Sequence, residues 1–441
     1  MALLRYLGRF RGFSRDAKLF LLSATISSVS YSVVWLMLNF YLESLGHGQA
    51  FIGWINALPA LTTVLVGVPI GVLSDRFSRK WALVTGAALS AAAATGIVIW
   101  TDPLPLILFT SLWGIGGAIL GANGAPFMAK HSNSPQQRTA LFSAQAALTT
   151  GTGFLGSLLG GYFPEMFAGW FGGSSRAVLP LQLTLGVVAL LQTLGVFPLL
   201  FVHRKGRLAE KPLNALQSIA ASMAEPPTAV PLPSNRRWGL EHPSLFAKLL
   251  LPAMLIGLGA GQTMPFLNLF VTGKFGISFA ELGWLFAVSA LVTALGILLQ
   301  PALADRLGRV RSVVAVQWLS LPFLVMLGFA PFFPLVALSL LIRGMLMNMA
   351  NPVYMAFCME QLPERERATF TGAYEVVWNL GWATGAAFSG WWRDLVGFEV
   401  GFNTNFALMA ILYSLGTLSV YAFFGRKREA HRVEPHVTQD L

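Results

Sequence analysis

A short charged segment occurs twice in the 441-residue chain, each time between two long apolar runs. The first copy, residues 71–80, reads GVLSDRFSRK, and the second, residues 301–309, reads PALADRLGR. Both contain the pattern Asp-Arg-x-x-Arg, and their positions differ by 230 residues. A repeat of this length between apolar runs indicates one membrane-embedded helical unit followed by a second copy of it.

The two halves of the chain keep the same register well beyond this segment. Gly53-Trp54 corresponds to Gly283-Trp284, again 230 residues apart. Later positions correspond at a spacing of 229, because one short loop differs by a residue; they pair Arg138, Ala144, Gly156 and Gly161 with Arg367, Ala373, Gly385 and Gly390. Chance supplies single alanines or leucines, but hardly Gly-Trp and Asp-Arg-x-x-Arg in one register. We therefore expect two structurally equivalent halves.

The composition is that of a chain whose surroundings are largely lipid. Apolar residues make up 55% and charged residues 11% of the sequence, whereas soluble globular chains carry about 25% charged residues. Since one crossing requires about 20 apolar residues, we predict an all-α integral membrane fold of twelve transmembrane helices in two pseudo-symmetric six-helix bundles. The predicted crossings are 18–43, 51–73, 81–100, 104–129, 139–164, 177–202, 247–272, 279–303, 311–330, 333–359, 368–391 and 402–424.

The net charge of +11 is distributed unevenly between the two ends of the predicted helices. One end receives most of the lysines and arginines of the connecting segments, and the other receives only Arg176, Lys274 and Arg393. Cytoplasmic loops carry such an excess of basic residues. We therefore expect a multi-pass protein of the inner or plasma membrane with both termini in the cytoplasm. The partners that this charge implies are membrane lipids and no nucleic acid.

Five segments follow from the distribution of apolar runs. We predict a cytoplasmic N-terminal arm (1–17), a first six-helix bundle (18–202), a central cytoplasmic loop (203–246), a second bundle (247–424) and a cytoplasmic tail (425–441). The central loop is polar and rich in proline, and apolar residues recur within it at helical spacing. It is either a short amphipathic helix on the membrane surface or an irregular linker.

The charged segments resemble the signature of the major facilitator superfamily, which reads G-x-L-x-D-R-x-G-R-[KR] and follows the second helix. The first copy matches at Gly71, Leu73, Asp75, Arg76, Arg79 and Lys80. Ser78 stands where glycine is usual, and the second copy departs at Pro301 and Val310. The resemblance extends over residues 15–425 and is to the bacterial drug and metabolite exporters in particular. It implies two bundles that rock about a central solute site.

In that family the charged segment forms a gate, and the resemblance implies the same role here. Asp75 is expected to cap the helix of the other half that begins near Glu366. This contact forms only when the cytoplasmic ends of the halves close together, so it favours the outward-open state. Gly71 allows the two helices to approach closely, while Arg76 and Lys80 equally suit topology signalling alone. The predicted gating residues are Gly71, Asp75, Arg76, Arg79, Lys80, Asp305, Arg306 and Arg309.

Two ionisable residues lie deep within predicted crossings, where a charge costs at least about 2 kcal/mol. Arg343 lies on a helix that lines the central cavity in this family, which makes it a candidate for binding an anionic or polar group of the solute. Glu375, if it is desolvated, has a raised pKa and is a candidate for taking up and releasing a proton. Structural roles are the alternatives: Arg343 binds loop carbonyls, and Glu375 pairs with Arg343 or a cytoplasmic arginine.

Polar and aromatic side chains recur on the helices that line the cavity in this family. Tyr31, Trp35 and Asn39 are four residues apart on one helical face, and Asn268 is the repeat counterpart of Asn39. Such residues either bind the solute or join helices to one another. The predicted cavity residues are Tyr31, Trp35, Asn39, Gln262, Asn268, Arg343, Asn348, Asn351 and Tyr354, and the predicted proton-coupling residue is Glu375.

Several kinds of chemistry lack their sequence patterns. We find no G-x-x-x-x-G-K-[ST] phosphate loop, no cluster of metal ligands and no Ser-His-Asp arrangement. We therefore expect a protein that is not an enzyme and needs no cofactor or metal. The expected function is secondary active export of a small amphipathic solute by a monomer, coupled to protons. Uptake or facilitated diffusion of a sugar or organic anion is an alternative, and a receptor or lipid scramblase is another.

Overall fold

The computed structural model describes residues 13–76, 78–132, 134–203 and 243–425. Within these ranges, the side chains at positions 68, 71–76, 135–136, 139 and 368 are not described. The predicted amphipathic helix of the central loop lies outside the described residues, as do most of the N-terminal arm and the tail.

Twelve helical spans occupy the positions of the predicted crossings in the described residues. Six belong to the first half: α1 (Arg15–Ser44), α2 (Gln49–Arg76), α3 (Arg79–Ile99), α4 (Pro103–Lys130), α5 (Pro135–Phe171) and α6 (Val178–Leu200). The second half begins with a broken span: α7 (Pro243–Thr263), a 3-10 turn (Met264–Phe266) and α8 (Leu267–Phe275). It continues with α9 (Phe279–Leu307), α10 (Arg309–Phe329), α11 (Phe333–Gln361), α12 (Glu364–Val396) and α13 (Phe398–Phe424).

The helices are long because lipid cannot hydrogen-bond the backbone, so each crossing must satisfy its own N–H and C=O groups. Ten spans of the described chain are long and apolar enough to cross a membrane. The two other long helices, α5 and α12, pack against α9 and α2 of the opposite half. The protein is therefore a multi-pass integral membrane protein with an all-α fold.

Helix packing repeats between the halves. In the first half, α1 packs on α5 and α6, α2 packs on α4, and α3 packs on α4 and α6. The equivalent pairs form in the second half: α7 with α12 and α13, α9 with α11, and α10 with α11 and α13. The halves meet through two further equivalent pairs, α2 with α12 and α5 with α9. The duplication seen in the sequence is thus a structural duplication.

The bundle has two ends, named here by their charge. The basic end contains the segments between α2 and α3, α4 and α5, α9 and α10, and α11 and α12. The far end contains the segments between α1 and α2, α3 and α4, α5 and α6, α8 and α9, α10 and α11, and α12 and α13. Both copies of the charged segment therefore lie at the basic end.

The two charged segments differ in backbone conformation at one position. Gly308 has a φ of +82°, which is a conformation that side chains with a Cβ rarely adopt. Its counterpart Ser78 has a φ of −65° and precedes the first residue of α3. The first copy can therefore have Ser78 in place of the glycine of the signature, because the backbone at this position is extended.

Candidate solute site and the closed far end

A cavity of about 600 Å³ lies between the two halves. Helices α1, α2, α3, α4 and α6 supply most of its wall, and α12 supplies the wall from the second half. The volume is in the range of about 300–1,000 Å³ that is typical of small-molecule sites. Among the described residues of the wall there is no aspartate, glutamate, lysine, arginine or histidine. The cavity is therefore the candidate solute site, and its wall is uncharged.

Aromatic rings form much of the wall. Its aromatic members are Tyr31, Trp35, Trp113, Trp378 and Trp382. Trp35 and Trp382 bring the two halves together, with ring centroids 5.9 Å apart. The ring of Tyr31 stacks on Trp35 at 6.2 Å. A solute in the cavity therefore contacts aromatic surfaces of both halves.

The predicted cavity residues of the first half lie in this wall, and those of the second half do not. Tyr31, Trp35 and Asn39 line the cavity. Gln262 and Asn268 are buried between helices, and Asn348 and Asn351 are exposed elsewhere on α11. Tyr354 donates a hydrogen bond to the carbonyl of Leu249 at 2.7 Å. These positions follow from the rotation of α7, α8 and α11 about their axes, which the sequence pattern does not define.

Arg343 is buried inside the second half, with 5% of its surface exposed. Its guanidinium donates to the hydroxyl of Tyr413 at 2.9 Å and contacts the sulfur of Met264 at 2.8 Å. The centre of the guanidinium lies 5.4 Å from the Tyr413 ring. In this conformation Arg343 joins α11 to α13 and to the 3-10 turn, away from the cavity wall.

Glu375 lies on the same helical face of α12 as two members of the wall. It precedes Trp378 by three residues and Asn379 by four, and residues at these spacings are neighbours on a helix. Since α12 begins at the basic end, Glu375 lies on the basic side of the cavity, where it is exposed. The ion pairs between described residues do not include one between Glu375 and Arg343.

The far end is closed by a reciprocal pair of asparagines, Asn39 and Asn268. The Asn39 side chain donates to the carbonyl of Pro265 at 2.6 Å and to Asn268 Oδ1 at 3.1 Å. The Asn268 side chain donates to the carbonyl of Leu36 at 2.7 Å. Each asparagine thus bonds the carbonyl three residues before its counterpart. The pair holds α1 against the break between α7 and α8 on the pseudo-twofold axis.

Two glycine contacts close the far end on either side of this pair. A Cβ at Gly53 would lie 2.8 Å from the Cα of Gly390, and a Cβ at Gly161 would lie 2.9 Å from the Cα of Gly283. Because these distances leave no room for a side chain, the helices touch through their backbones. The two contacts are equivalent under the repeat and seal α2 against α12 and α5 against α9.

Two carboxylates cap helices of the opposite half at the far end. Asp394 accepts from the main-chain N–H of Gln49 at 3.0 Å, where α2 begins. Glu165 accepts from the main-chain N–H of Ala280 at 2.9 Å, where α9 begins. An acid at a helix N-terminus satisfies a free N–H and opposes the positive end of the helix dipole. Both caps exist only while the halves are in contact at this end.

The predicted gating residues lie at the basic end, where the described ones bind within their own half. Arg79 donates to the carbonyl of Pro126 at 3.2 Å, and Lys80 donates to the carbonyl of Leu200 at 2.7 Å. Arg309 forms an ion pair with Glu360. Asp305 and Arg306 are exposed. The side chains of Asp75 and Arg76 and the surroundings of Gly71 are outside what the structure describes. The gating role of the whole set stays a prediction.

Sequence reasoning missed several residues that the structure places at these sites. Asn56 lines the cavity. The only indication of this in the sequence was that a polar residue interrupts an apolar run. Glu165 and Asp394 carried a clearer signal, since they are acids spaced by the repeat distance of 229. Trp382, which also lines the cavity, is one of several tryptophans in apolar runs, and nothing in its spacing set it apart.

Two equivalent membrane-embedded halves around a solute-sized cavity define a membrane transport protein. The family profile of the Major Facilitator Superfamily matches the chain at residues 20–253 and 249–439. Because these matches extend over nearly the whole sequence, the chain belongs to the major facilitator superfamily, as the charged segments predicted.

Solved structures show the same fold at low sequence identity. The inward-facing, unoccupied bacterial homologue of the human lysosomal transporter Spinster aligns with a TM-score of 0.73, 15% identity, and coverage of 94% of this chain and 98% of that chain. The nucleoside transporter NupG aligns with a TM-score of 0.69 and 16% identity, over 94% of this chain and 100% of that chain. A D-xylose–proton symporter aligns with a TM-score of 0.69 and 14% identity, over 92% of this chain and 97% of that chain.

Two curated relatives match over part of their length. The staphyloferrin B transporter of Staphylococcus aureus is 28% identical over 145 residues, which are 32% of this chain and 34% of the relative. The multidrug resistance protein MdtH of Aeromonas hydrophila is 27% identical over 142 residues, which are 32% and 36% of the two chains. The matched segments therefore span about a third of each relative.

Proposed function

We propose that the protein exports a small amphipathic organic solute by alternating access, with protons as the coupling ion. The observation that carries this proposal is the cavity between the halves, whose wall combines aromatic rings with uncharged polar groups. Such a wall suits a solute with a large apolar surface and a few polar atoms. The name of one curated relative, the multidrug resistance protein MdtH, agrees with this direction of transport.

The proposed orientation places the basic end in the cytoplasm, because basic residues are retained on that side of a membrane. The exposed fractions of the residues along the cavity support entry of the solute from this end. Tyr31, which is nearer the basic end than Asn39, is 54% exposed, whereas Asn39, on the far side of the wall, is 2% exposed. The conformation would then bind a solute from the cytoplasm while the far end is closed.

Uptake of an organic anion has less support from the geometry. It would require a cation in the cavity, and Arg343, the candidate for that role, is buried against Tyr413 instead. A sugar would fit the uncharged wall, but much of the aromatic surface of the wall would then have no apolar partner. The paired contacts that close the far end suit a gate that opens and closes. A receptor that does not transport would not require them.

Coupling is assigned to Glu375, because it is the acid that shares the cavity face of α12. Protonation from the outside, when the far end is open, and release to the cytoplasm, when the basic end is open, would move one proton inward for each cycle. A carboxylate that loses its water as the halves close retains its proton more strongly. The negative charge that remains after release would favour rebinding of solute.

We expect Glu375→Gln to abolish flux driven by a pH gradient while leaving solute exchange at equal pH within about twofold of the wild type. Exchange needs no net proton movement, because the same conformational steps run forward and backward with solute bound. The measurement is transport of ethidium, an amphipathic cation, in proteoliposomes with and without an imposed pH gradient.

The matched control is Glu364→Gln, which removes an exposed acid from the first residue of the same helix. It should leave both fluxes unchanged. Gradient-driven ethidium flux that persists in Glu375→Gln would show that this residue does not couple transport to protons.

A further inference from the structure

We infer that Asp16 and His131 form a pH-sensitive ion pair that fastens α1 to α4 at the basic end, and that the pair holds only while both ring nitrogens of His131 carry a proton. The pH at the basic end then controls how firmly this end of the first half is held together. The inference concerns the first half alone and depends neither on the solute nor on proton coupling by Glu375. Three observations carry it: the positions of the protons, the burial of the pair and the charges around it.

The pair lies where the ends of three helices meet. Asp16 belongs to the first turn of α1, His131 follows the last residue of α4, and His203 lies three residues beyond α6. Asp16 and His131 are only 5% and 6% exposed. Asp16 Oδ2 lies 3.6 Å from His131 Nε2. Asp16 Oδ1 accepts from the main-chain N–H of His203 at 3.1 Å and from its Nδ1 at 3.0 Å. One buried carboxylate thus connects all three helix ends.

Hydrogen bonding fixes one proton of His131 on Nδ1. This nitrogen lies 2.9 Å from the carbonyl oxygen of Phe127, and because a carbonyl only accepts, Nδ1 must be the donor. The other ring nitrogen, Nε2, is buried and has no hydrogen-bond partner among the described residues. In a neutral ring, Nε2 would present a lone pair to the carboxylate, which leaves a buried acceptor without a donor. A second proton, on Nε2, replaces this repulsion by a charge pair.

The surroundings place this proton on His131 rather than on Asp16. The two bonds that His203 donates to Oδ1 favour the ionised form of the carboxyl group. The ring of His131 stacks on Phe127 with centroids 4.1 Å apart, and the face of an aromatic ring attracts positive charge. Both features favour an imidazolium ion beside a carboxylate.

The other charged groups near the pair are cations. Among the acids of the first half whose side chains are described, Asp16 is the one at the basic end, since the others lie at the far end. Arg79 and Lys80 of α3 donate to main-chain carbonyls of α4 and α6. Water screens the exposed cations of this end, so Asp16 is the partner that stabilises a charged His131. Those exposed cations are Arg15 and Lys18 of α1, Lys130 of α4 and Arg138 of α5.

The expected effect of pH follows from counting protons. The folded protein holds the second proton of His131 beside a carboxylate, whereas the unfolded chain exposes the ring to water. Histidine ordinarily ionises at a pH of about 6.5, and aspartate stays ionised well below that pH. The contact therefore adds to the free energy of unfolding at a pH below the histidine range, and this contribution is lost as the pH rises through it.

The first test compares thermal unfolding of the purified full-length protein and of His131→Gln at about pH 6 and about pH 8. Glutamine offers an amide N–H near the position of Nε2 and does not titrate, and His203 is present in both proteins. We expect the midpoint of the wild type relative to His131→Gln to be at least about 2 °C higher at the lower pH than at the higher one. A relative midpoint that does not change with pH would overturn the inference.

The matched control is His47→Gln, which removes a histidine of the far end that lies beside the carbonyl of Thr101. Its midpoint relative to the wild type should be the same at both pH values. If His47→Gln and His131→Gln depend on pH alike, the effect does not arise from the pair with Asp16.

Asp16→Asn provides a second test in which the sign is reversed. The asparagine keeps an oxygen for the two bonds from His203 and turns its amide N–H groups toward His131 Nε2. An amide N–H donates to a neutral ring and repels an imidazolium ion. In the Asp16→Asn background, His131 should therefore stabilise the protein relative to His131→Gln more at about pH 8 than at about pH 6. The same sign in both backgrounds would contradict the inference.

Nuclear magnetic resonance of ring-labelled histidines reports the proton itself and needs only the wild type and the assignment variants. The ring of His131 should lose its second proton at a higher pH than the ring of His47, which has a carbonyl and no carboxylate as its partner. Loss of the proton at the same pH as His47 or at a lower pH would refute the ion pair, even if Asp16→Asn failed to fold.

Discussion

Gly161→Val is expected to abolish transport and to shift the protein toward conformations in which the far end is open. A Cβ at this position would lie 2.5 Å from the carbonyl oxygen of Phe279 and 2.9 Å from the Cα of Gly283. Both obstacles are backbone atoms, so α5 and α9 must separate. Overpacking of this kind costs about 2–3 kcal/mol, which corresponds to a population shift of roughly 30- to 150-fold.

Two measurements on Gly161→Val check this expectation. Ethidium flux in proteoliposomes reports the loss of transport. The alkylation rate of a cysteine introduced at Gln49, where α2 begins at the far end, reports opening, and it should rise by at least about tenfold.

The matched control is Gly169→Val in the same helix, since a Cβ at Gly169 meets nothing within 4 Å. This variant should transport and alkylate like the wild type. A Gly161→Val protein with wild-type flux and unchanged alkylation would show that the glycine contact does not close the far end.

Asn268→Leu is expected to open the far end by a different route, through the loss of buried hydrogen bonds. The substitution removes the bond to the carbonyl of Leu36 and the bond received from Asn39. Interhelical hydrogen bonds in membranes contribute about 0.6–2 kcal/mol each. Loss of both bonds, about 1.2–4 kcal/mol together, should therefore shift the population by roughly 8- to 900-fold, with slower ethidium exchange and faster alkylation at position 49.

Asn348→Leu provides the control for the change in polarity. Asn348 is exposed, and its side chain donates to the carbonyl of Gly344 in its own helix at 2.9 Å. Its replacement should leave exchange and alkylation unchanged. Equal behaviour of the two leucine variants would exclude a special role for the asparagine pair.

The crossings were predictable from the sequence because each apolar run must form a complete helix in lipid. The predicted span 333–359 corresponds to the helix Phe333–Gln361, and the predicted span 81–100 corresponds to Arg79–Ile99. The repeated charged segment also predicted the family, since it combines unusual residue types in one register. These features depend on the length and order of residues along the chain.

The site was less predictable because it depends on how each helix is rotated. The depth of Arg343 in the membrane follows from counting residues, but whether it faces the cavity or α13 does not. The same limit explains why Asn268, expected to face a solute, bonds Leu36 instead. By contrast, Glu165 and Asp394 are 229 residues apart, so the repeat in the sequence already identifies them as equivalent acids.

In the proposed mechanism, solute crosses only if the halves separate at the far end. The most direct test is a reversible disulfide between cysteines at Gln49 and Asp394, whose main-chain N–H and side chain are in contact at 3.0 Å. Cys358, the single native cysteine, is buried and is replaced by serine. We expect oxidation to abolish ethidium flux and reduction to restore it. Full flux through the oxidised, cross-linked protein would show that solute crosses without separation of the halves at the far end.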